Sequence, residues 1–333
     1  MEGVMMKNKD QYAVAVRKED GEIVVEKKEY KGICPAKAVQ KIPIIRGVIN
    51  FIDSMCLGIS SLAFSAQFFE EEPKKEEKKP KQTEKELSGA ERTKDCSKKV
   101  SGDPGHKNEL KEKAVVGGTV AFSLLIAIVI FMLLPFYLSQ FLGRMIDSDT
   151  VVSVIEGILR LAVFFAYILF ISRLEDIQRV FMYHGAEHKC INCIEHGFDL
   201  TVENVRNSGR QHKRCGTNFL FIVIIITVIC FIFIQTDSHL MKLLYRIILI
   251  PIVAGVSYEC IRIAGKYDNA FIDLVNKPGM LLQKLTTREP DDSMIEVGIA
   301  SVEAVFDWRK YLEETEEEQE NAAKKQNAEK KTE

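Results

Sequence analysis

Histidine and cysteine crowd into one stretch of this chain. Residues 184–215, HGAEHKCINCIEHGFDLTVENVRNSGRQHKRC, hold four of the six histidines and three of the eight cysteines. Imidazole and thiolate together make the ligand set that zinc-type divalent ions accept in tetrahedral sites. On a helix, His184 and His188 would stand one turn apart and share a face, with Glu187 beside them. His-x-x-Glu-His is the inverted form of the zinc-protease signature, whose glutamate polarises a metal-bound water. The match is short, the Gly185-Ala186 pair weakens a helix, and the full pattern's distant glutamate ligand is not identifiable, Glu259 being a weak candidate. Downstream, Cys190 and Cys193 form C-x-x-C, His196 follows, and His212-x-x-Cys215 closes the stretch. These candidates outnumber the roughly four places of a zinc site. The favoured set is His184, His188, His212 and Cys215, with Cys193 next and Cys190 and His196 as bystanders. Three protein ligands would leave a position for water and make the site catalytic; four would make it structural. Juxtamembrane side chains satisfied by hydrogen bonds alone, without metal, form the remaining alternative.

The elements that must position this cluster are apolar. Val115–Leu142, Thr150–Ser172, Thr217–Thr236 and Met241–Ala264 each reach the roughly 20 residues that a bilayer-crossing helix needs. The third is rich in Ile and Val, but its unbroken length and the exclusion of open strands from lipid decide for helix. The connections 143–149 and 237–240 are short, so the four spans pair into two hairpins. An even number puts the N-terminus, the 173–216 segment and the C-terminus on one side. That segment carries Arg173, Arg179, Lys189, Arg206, Arg210, Lys213 and Arg214, against Arg144 alone in the first short loop. The positive-inside rule then makes both termini and the cluster cytoplasmic, on a multi-pass protein of the cell membrane. Within the second span, Glu156 and Arg160 are spaced to neutralise one another, either as a structural ion pair or as a polar path or headgroup site.

Smaller elements complete the expected fold: mainly α, with four transmembrane helices, a small N-terminal β-hairpin and cytosolic helices. Residues 12–29 alternate apolar and polar around Asp20-Gly21, which predicts two strands and a tight turn in a cytosolic β-element, 1–41. A lone hairpin is marginal in water, so it should dock on something. Residues 42–66 predict an amphipathic helix, either lying in the membrane interface or packed on the bundle. Residues 67–113 are charged and poor in large apolar side chains, and read as a disordered linker. Beyond 264, a turn at Lys277-Pro278-Gly279, a short helix Met280–Leu285, an amphipathic helix Met294–Leu312 and a solvated tail from Glu313 are expected. Met1–Tyr30 lacks the apolar core of a signal peptide. A formal net charge of −2 gives no reason to expect nucleic acid as a partner. The bilayer is the expected partner, with membrane proteins as further candidates.

At several stretches the chain resembles the YqhQ-like family of bacterial membrane proteins, described as predicted metal-dependent enzymes. They are Glu2–Met6, Ile42–Val48, Met182–Lys189, Leu200–Asn204, His212–Thr217 and Leu285–Asp292. The resemblance spans most of the chain outside the linker and tail, and implies membership without a substrate or reaction. Relatives usually carry a Gly-Gly-Gln-Ala-Val stretch before the first of these, which implies an alternative start. Position 190 is commonly Thr among them, which implies that Cys190 is not an essential ligand, and Lys213 replaces a more usual Pro.

Three function classes follow. The first is a zinc-type site at the cytoplasmic membrane surface, with Glu187 as general base in hydrolysis of a lipid-linked or peptide substrate. The second is a non-enzymatic scaffold or assembly factor whose metal fixes a cytosolic hairpin. The third, resting on Glu156 and Arg160, is a transporter.

Overall fold

The computed structural model describes residues 2–30, 32–33, 42–68, 105–146, 148–213, 215–233, 238–264 and 269–329. The chain divides into two compact units. In the unit Glu71–Leu134, the described part is helix α2 (Gly105–Ile128) running into a π-helical turn, Val129–Leu133. Of the expected charged linker, 69–104 lie outside the described residues, and from Gly105 the chain is already helical. The larger unit, Met1–Glu70 with Pro135–Glu333, holds everything else, including the candidate site.

The N-terminal element has three strands rather than two: β1 (Gly3–Asn8), β2 (Gln11–Arg17) and β3 (Ile23–Glu29), antiparallel in that order. Gly21 supplies the expected positive φ, +89°, in the β2–β3 turn. The strand that sequence reasoning missed pairs Val4 with Ala15 and Met6 with Ala13. It lacks a simple alternation because both faces of the sheet are covered. Val4, Met6, Ala13 and Ala15 pack into a core with residues of α5 (Glu175–Glu195) and α10 (Asp292–Val305). Tyr12, Val14 and Val16 pack on the other side against Leu57, with Phe64 and Phe68 around them. The hairpin thus does dock, as its size requires, between two helical layers.

Helix α1 (Pro43–Ala66) supplies the second layer. Its N-terminal half crosses α8 (His239–Ala264) so closely that a Cβ at Gly47 would fall 2.5 Å from the Gly255 carbonyl oxygen. Small residues at such a crossing are what allow two backbones to approach. Arg46 binds the Glu259 carboxylate at 2.7 Å, and Asn50 donates to Tyr258 Oη at 3.0 Å. One turn on, Asp53 accepts from Tyr30 Oη and from the Ile33 amide, which ties the end of the sheet to the middle of α1.

Five helical stretches among the described residues are long and apolar enough to cross a membrane: 43–66, 117–143, 150–171, 216–233 and 240–264. Four were expected; the fifth is α1, whose length and composition meet the same measure. The other four follow the expected runs, in α2 through α3 (Leu134–Gly143), α4 (Asp149–Ile171), α7 (Gly216–Phe233) and α8. Gly157 of α4 lies against Val228 of α7, where a side chain would clash. Glu156 pairs with Arg160, as its spacing suggests, and also with Arg246 of α8 at 2.6 Å.

Beyond the spans, three expectations give way. Lys277-Pro278-Gly279 is no turn: α9 (Ala270–Thr286) runs straight through it. Gly279 is needed because α9 presses on Asn218 of α7, whose amide also binds Asn276 Oδ1 at 3.1 Å. The helix expected over 294–312 is broken at Phe306-Asp307 into α10 and α11 (Trp308–Glu329), and α11 carries helix deep into the expected tail. Asp291 caps α10 by accepting from the Met294 amide.

Candidate metal centre

Helix α5 carries most of the site. It begins after a break at Ser172–Leu174, where Glu175 and Asp176 sit in the first turn and complement the positive end of the helix dipole. It ends at Gly197, whose φ of +81° suits a helix terminus. Gly185 does not break it, because the glycine lies where the Arg288 carbonyl passes, too close for any side chain. Arg288 is fixed in turn by its amide on the Phe181 carbonyl at 2.9 Å and its guanidinium on Ser172 O and Gln178 Oε1, both at 3.0 Å.

One face of α5 then gathers the carbonyls of the returning loop. Lys189, only 4% exposed, donates to Arg206 O at 2.9 Å and Ser208 O at 2.8 Å. Asn192 donates to Gly209 O and Gln211 O, and His188 Nδ1 meets Arg210 O at 2.8 Å. Before it, Thr201 caps the short helix α6 (Val202–Asn207). The loop so pinned delivers Cys215 back beside the two histidines.

His184, His188 and Cys215 converge, each offering a ligand atom within 4.8 Å of the others. His184 Nε2 lies 3.2 Å from the Cys215 sulfur, and its Nδ1 lies 2.9 Å from the Thr286 carbonyl. A carbonyl can only accept, so Nδ1 of each ring carries the proton and Nε2 of each is left as the donor toward a metal. A backbone carbonyl on the far nitrogen is the usual way a protein orients a metal-binding imidazole. The donor set and its tautomers therefore fit a divalent ion.

The electrostatics agree. Burial resists charge on Cys215, but hydrogen bonds from His184 and His188 outweigh it and bring the thiol down to about 5. Burial likewise resists the His184 cation, yet the hydrogen bond and charge of Cys215, with Glu187 nearby, raise it to about 9. Burial pushes the Glu187 carboxyl above the ordinary range, against the pull of His184 and His188. A thiolate is the form that binds metal.

The remaining expected site residues lie elsewhere. His212 is 5.9 Å from His188 between ring centroids, and its Nε2 turns to Glu195 at 3.1 Å. Its backbone is clamped at both N and O by the Gln283 amide, each at 2.8 Å. Cys193 is buried, its sulfur on the Asp199 carbonyl at 3.4 Å, and burial raises its thiol. Cys190 packs against Gly298 of α10, and His196 Nδ1 meets the Asn192 carbonyl at 2.6 Å. Glu259 belongs to Arg46. Sequence reasoning missed Thr286, Arg210 and Gln283, two of which act through backbone carbonyls that residue type cannot reveal.

A model of a family described as "Protein of unknown function (DUF1385)" matches residues 42–308. The chain is 34% identical over 302 residues to "Uncharacterized protein YqhQ" of Bacillus subtilis (strain 168), covering 90% of this chain and 88% of that protein. No solved structure matches. With the family model spanning most of its length and that relative aligned nearly end to end, the chain belongs to the DUF1385, YqhQ-like family.

Proposed function

We propose that this chain is a multi-pass membrane hydrolase with a zinc-type site at the cytoplasmic surface. The observation that carries the reading is the convergence of three ligands, His184, His188 and Cys215, with the far nitrogens of both rings taken by carbonyls. Three protein ligands leave a coordination place free, the arrangement of catalytic rather than structural zinc. His212, which would have closed the shell, faces Glu195 instead.

When bound, the metal supplies Lewis-acid polarisation of a reacting carbonyl or phosphoryl group. Glu187, one turn along α5 from His184 and next to His188, takes the proton of the attacking water and returns it to the leaving group as the scissile bond breaks. A carboxyl raised above its ordinary range suits both halves of that transfer. Thr286 and Arg210 hold the imidazoles in place through their carbonyls, so neither ring need reorganise.

The topology we infer has four crossings, with both termini cytoplasmic. Ile33 and Asp53 meet, so the chain between them leaves and returns to one place rather than crossing. From Asp53 to Ala66, α1 rises about 20 Å, short of the roughly 30 Å hydrocarbon core. That part of α1 also lies on the sheet. Helix α1 therefore dips beside the cytoplasmic end of α8 and emerges on the same face.

Elemental analysis of detergent-purified protein tests the ligand set. Wild type should hold about one zinc per chain, and a His184→Ala/His188→Ala variant about none, as a site stripped of two ligands of about four should. Equal metal in the two samples would defeat the assignment. The pairing of His184 with Cys215 adds a second expectation. Between about pH 7 and about 9 the thiol is already ionised, while the His184 proton must leave for metal to bind. Apparent zinc affinity should then climb about tenfold per pH unit and flatten above about 9. Competition with a chelating dye at stepped pH reads the slope; a flat profile would contradict the pairing.

A further inference from the structure

A cavity of about 210 Å³ adjoins the ligand group, between the sheet, α5 and α1. His184 and Glu187 open into it, and Met5 and Val14 give it an apolar wall. Ser65, also in the wall, is 5% exposed and its hydroxyl has no hydrogen-bond partner among the described residues.

Leu62 also lines this cavity and is exposed. It ends a stripe of exposed apolar side chains along one face of α1: Ile45, Ile52, Met55, Ile59 and Leu62, spaced by helical turns. The stripe starts beside the Gly47–Gly255 crossing on α8, a candidate membrane span. An apolar face that begins at a span belongs in the hydrocarbon boundary of the bilayer. It therefore leads from lipid into the cavity, and the cavity leads to Glu187 and the ligand group.

We propose that the cavity takes a single-chain membrane amphiphile, with its hydrocarbon on Leu62, Met5 and Val14 and its ester or phosphoester head at His184 and Glu187. The inference rests on the hydrolytic reading above and selects lipid over peptide: a peptide has no use for an apolar approach along α1.

The test uses the full-length, zinc-loaded protein in nanodiscs of phosphatidylglycerol and phosphatidylethanolamine. A lysophosphatidylglycerol with a diazirine near the head end of its chain is photolysed, and labelled peptides and zinc content are measured on the same samples. Label should fall on the Ser61–Ser65 and Met5–Val14 segments. Leu62→Trp, which fills the mouth from an exposed position, should cut it at least about fivefold, the low end of an overpacking penalty. Leu62→Ala should retain it. Labelling indifferent to Leu62→Trp with zinc still bound would overturn the inference and leave the metal site standing, as would displacement of the label by an extended peptide. Leu62-dependent labelling of protein that holds no zinc would support the ligand class and sink the hydrolytic reading instead.

Discussion

Glu187→Gln should keep its zinc and lose about 10²–10⁴-fold in turnover, the usual contribution of a positioned general base. Glutamine matches glutamate in shape, and Glu187 has no hydrogen-bond partner among the described residues that the change would break. The three ligand atoms are untouched, so metal content reports on the site and turnover on the proton transfer separately. In cells, the variant should fail to complement a deletion of the gene. Normal complementation by a zinc-bearing Glu187→Gln protein would mean that the metal braces the loop and does no chemistry, which is the scaffold reading.

The second large effect lies in the membrane. Glu156, 2% exposed, accepts from Arg160 at 3.0 Å and from Arg246 at 2.6 Å. Both guanidinium groups lie over the Phe231 ring, and Arg246 also over Phe136 at 4.4 Å. One carboxylate thus serves two buried cations, and Arg246 Nη1 has no partner among the described residues. Glu156→Gln removes the carboxylate that Arg160 and Arg246 share and should cost about 3–5 kcal/mol, the penalty for removing one side of a buried pair. Arg160→Met leaves one carboxylate facing one arginine and should cost clearly less. Thermal unfolding in detergent orders the two; a Glu156→Gln protein as stable as Arg160→Met would remove the argument that charge imbalance sets the cost.

Much of this was legible in residue order, for reasons that differ from place to place. The His184–His188 pair follows from helical spacing, and Gly185 misleads only because its partner, the Arg288 carbonyl, is about a hundred residues away. Cys215 follows from clustering with histidine. His212 shares that clustering, yet its ring meets Glu195, a tertiary pairing that residue spacing does not show. The strand at Gly3–Asn8 hides because a strand covered on both faces loses its alternation. Pro278-Gly279 reads as a turn by composition, while the helix survives through close packing on Asn218. Hydropathy alone cannot separate α1 from a crossing helix, since a window average is blind to which face is apolar.

The covering of the sheet bears on the order of synthesis. Asn8 donates to the Val305 carbonyl across 297 positions of chain, Ser301 donates to Ala13, and Arg17 reaches Ser293 and Glu296. At a ribosomal pace of about 5–20 residues per second, the first strands emerge roughly 15–60 seconds before the helix that shields them. During that interval Val4 and Met6 have α5 to pack on but lack their α10 partners. Docking of the sheet is consequently completed only when α10 emerges, and any nascent chain arrested before Asp292 would present the α10-facing part of the sheet to chaperones and proteases.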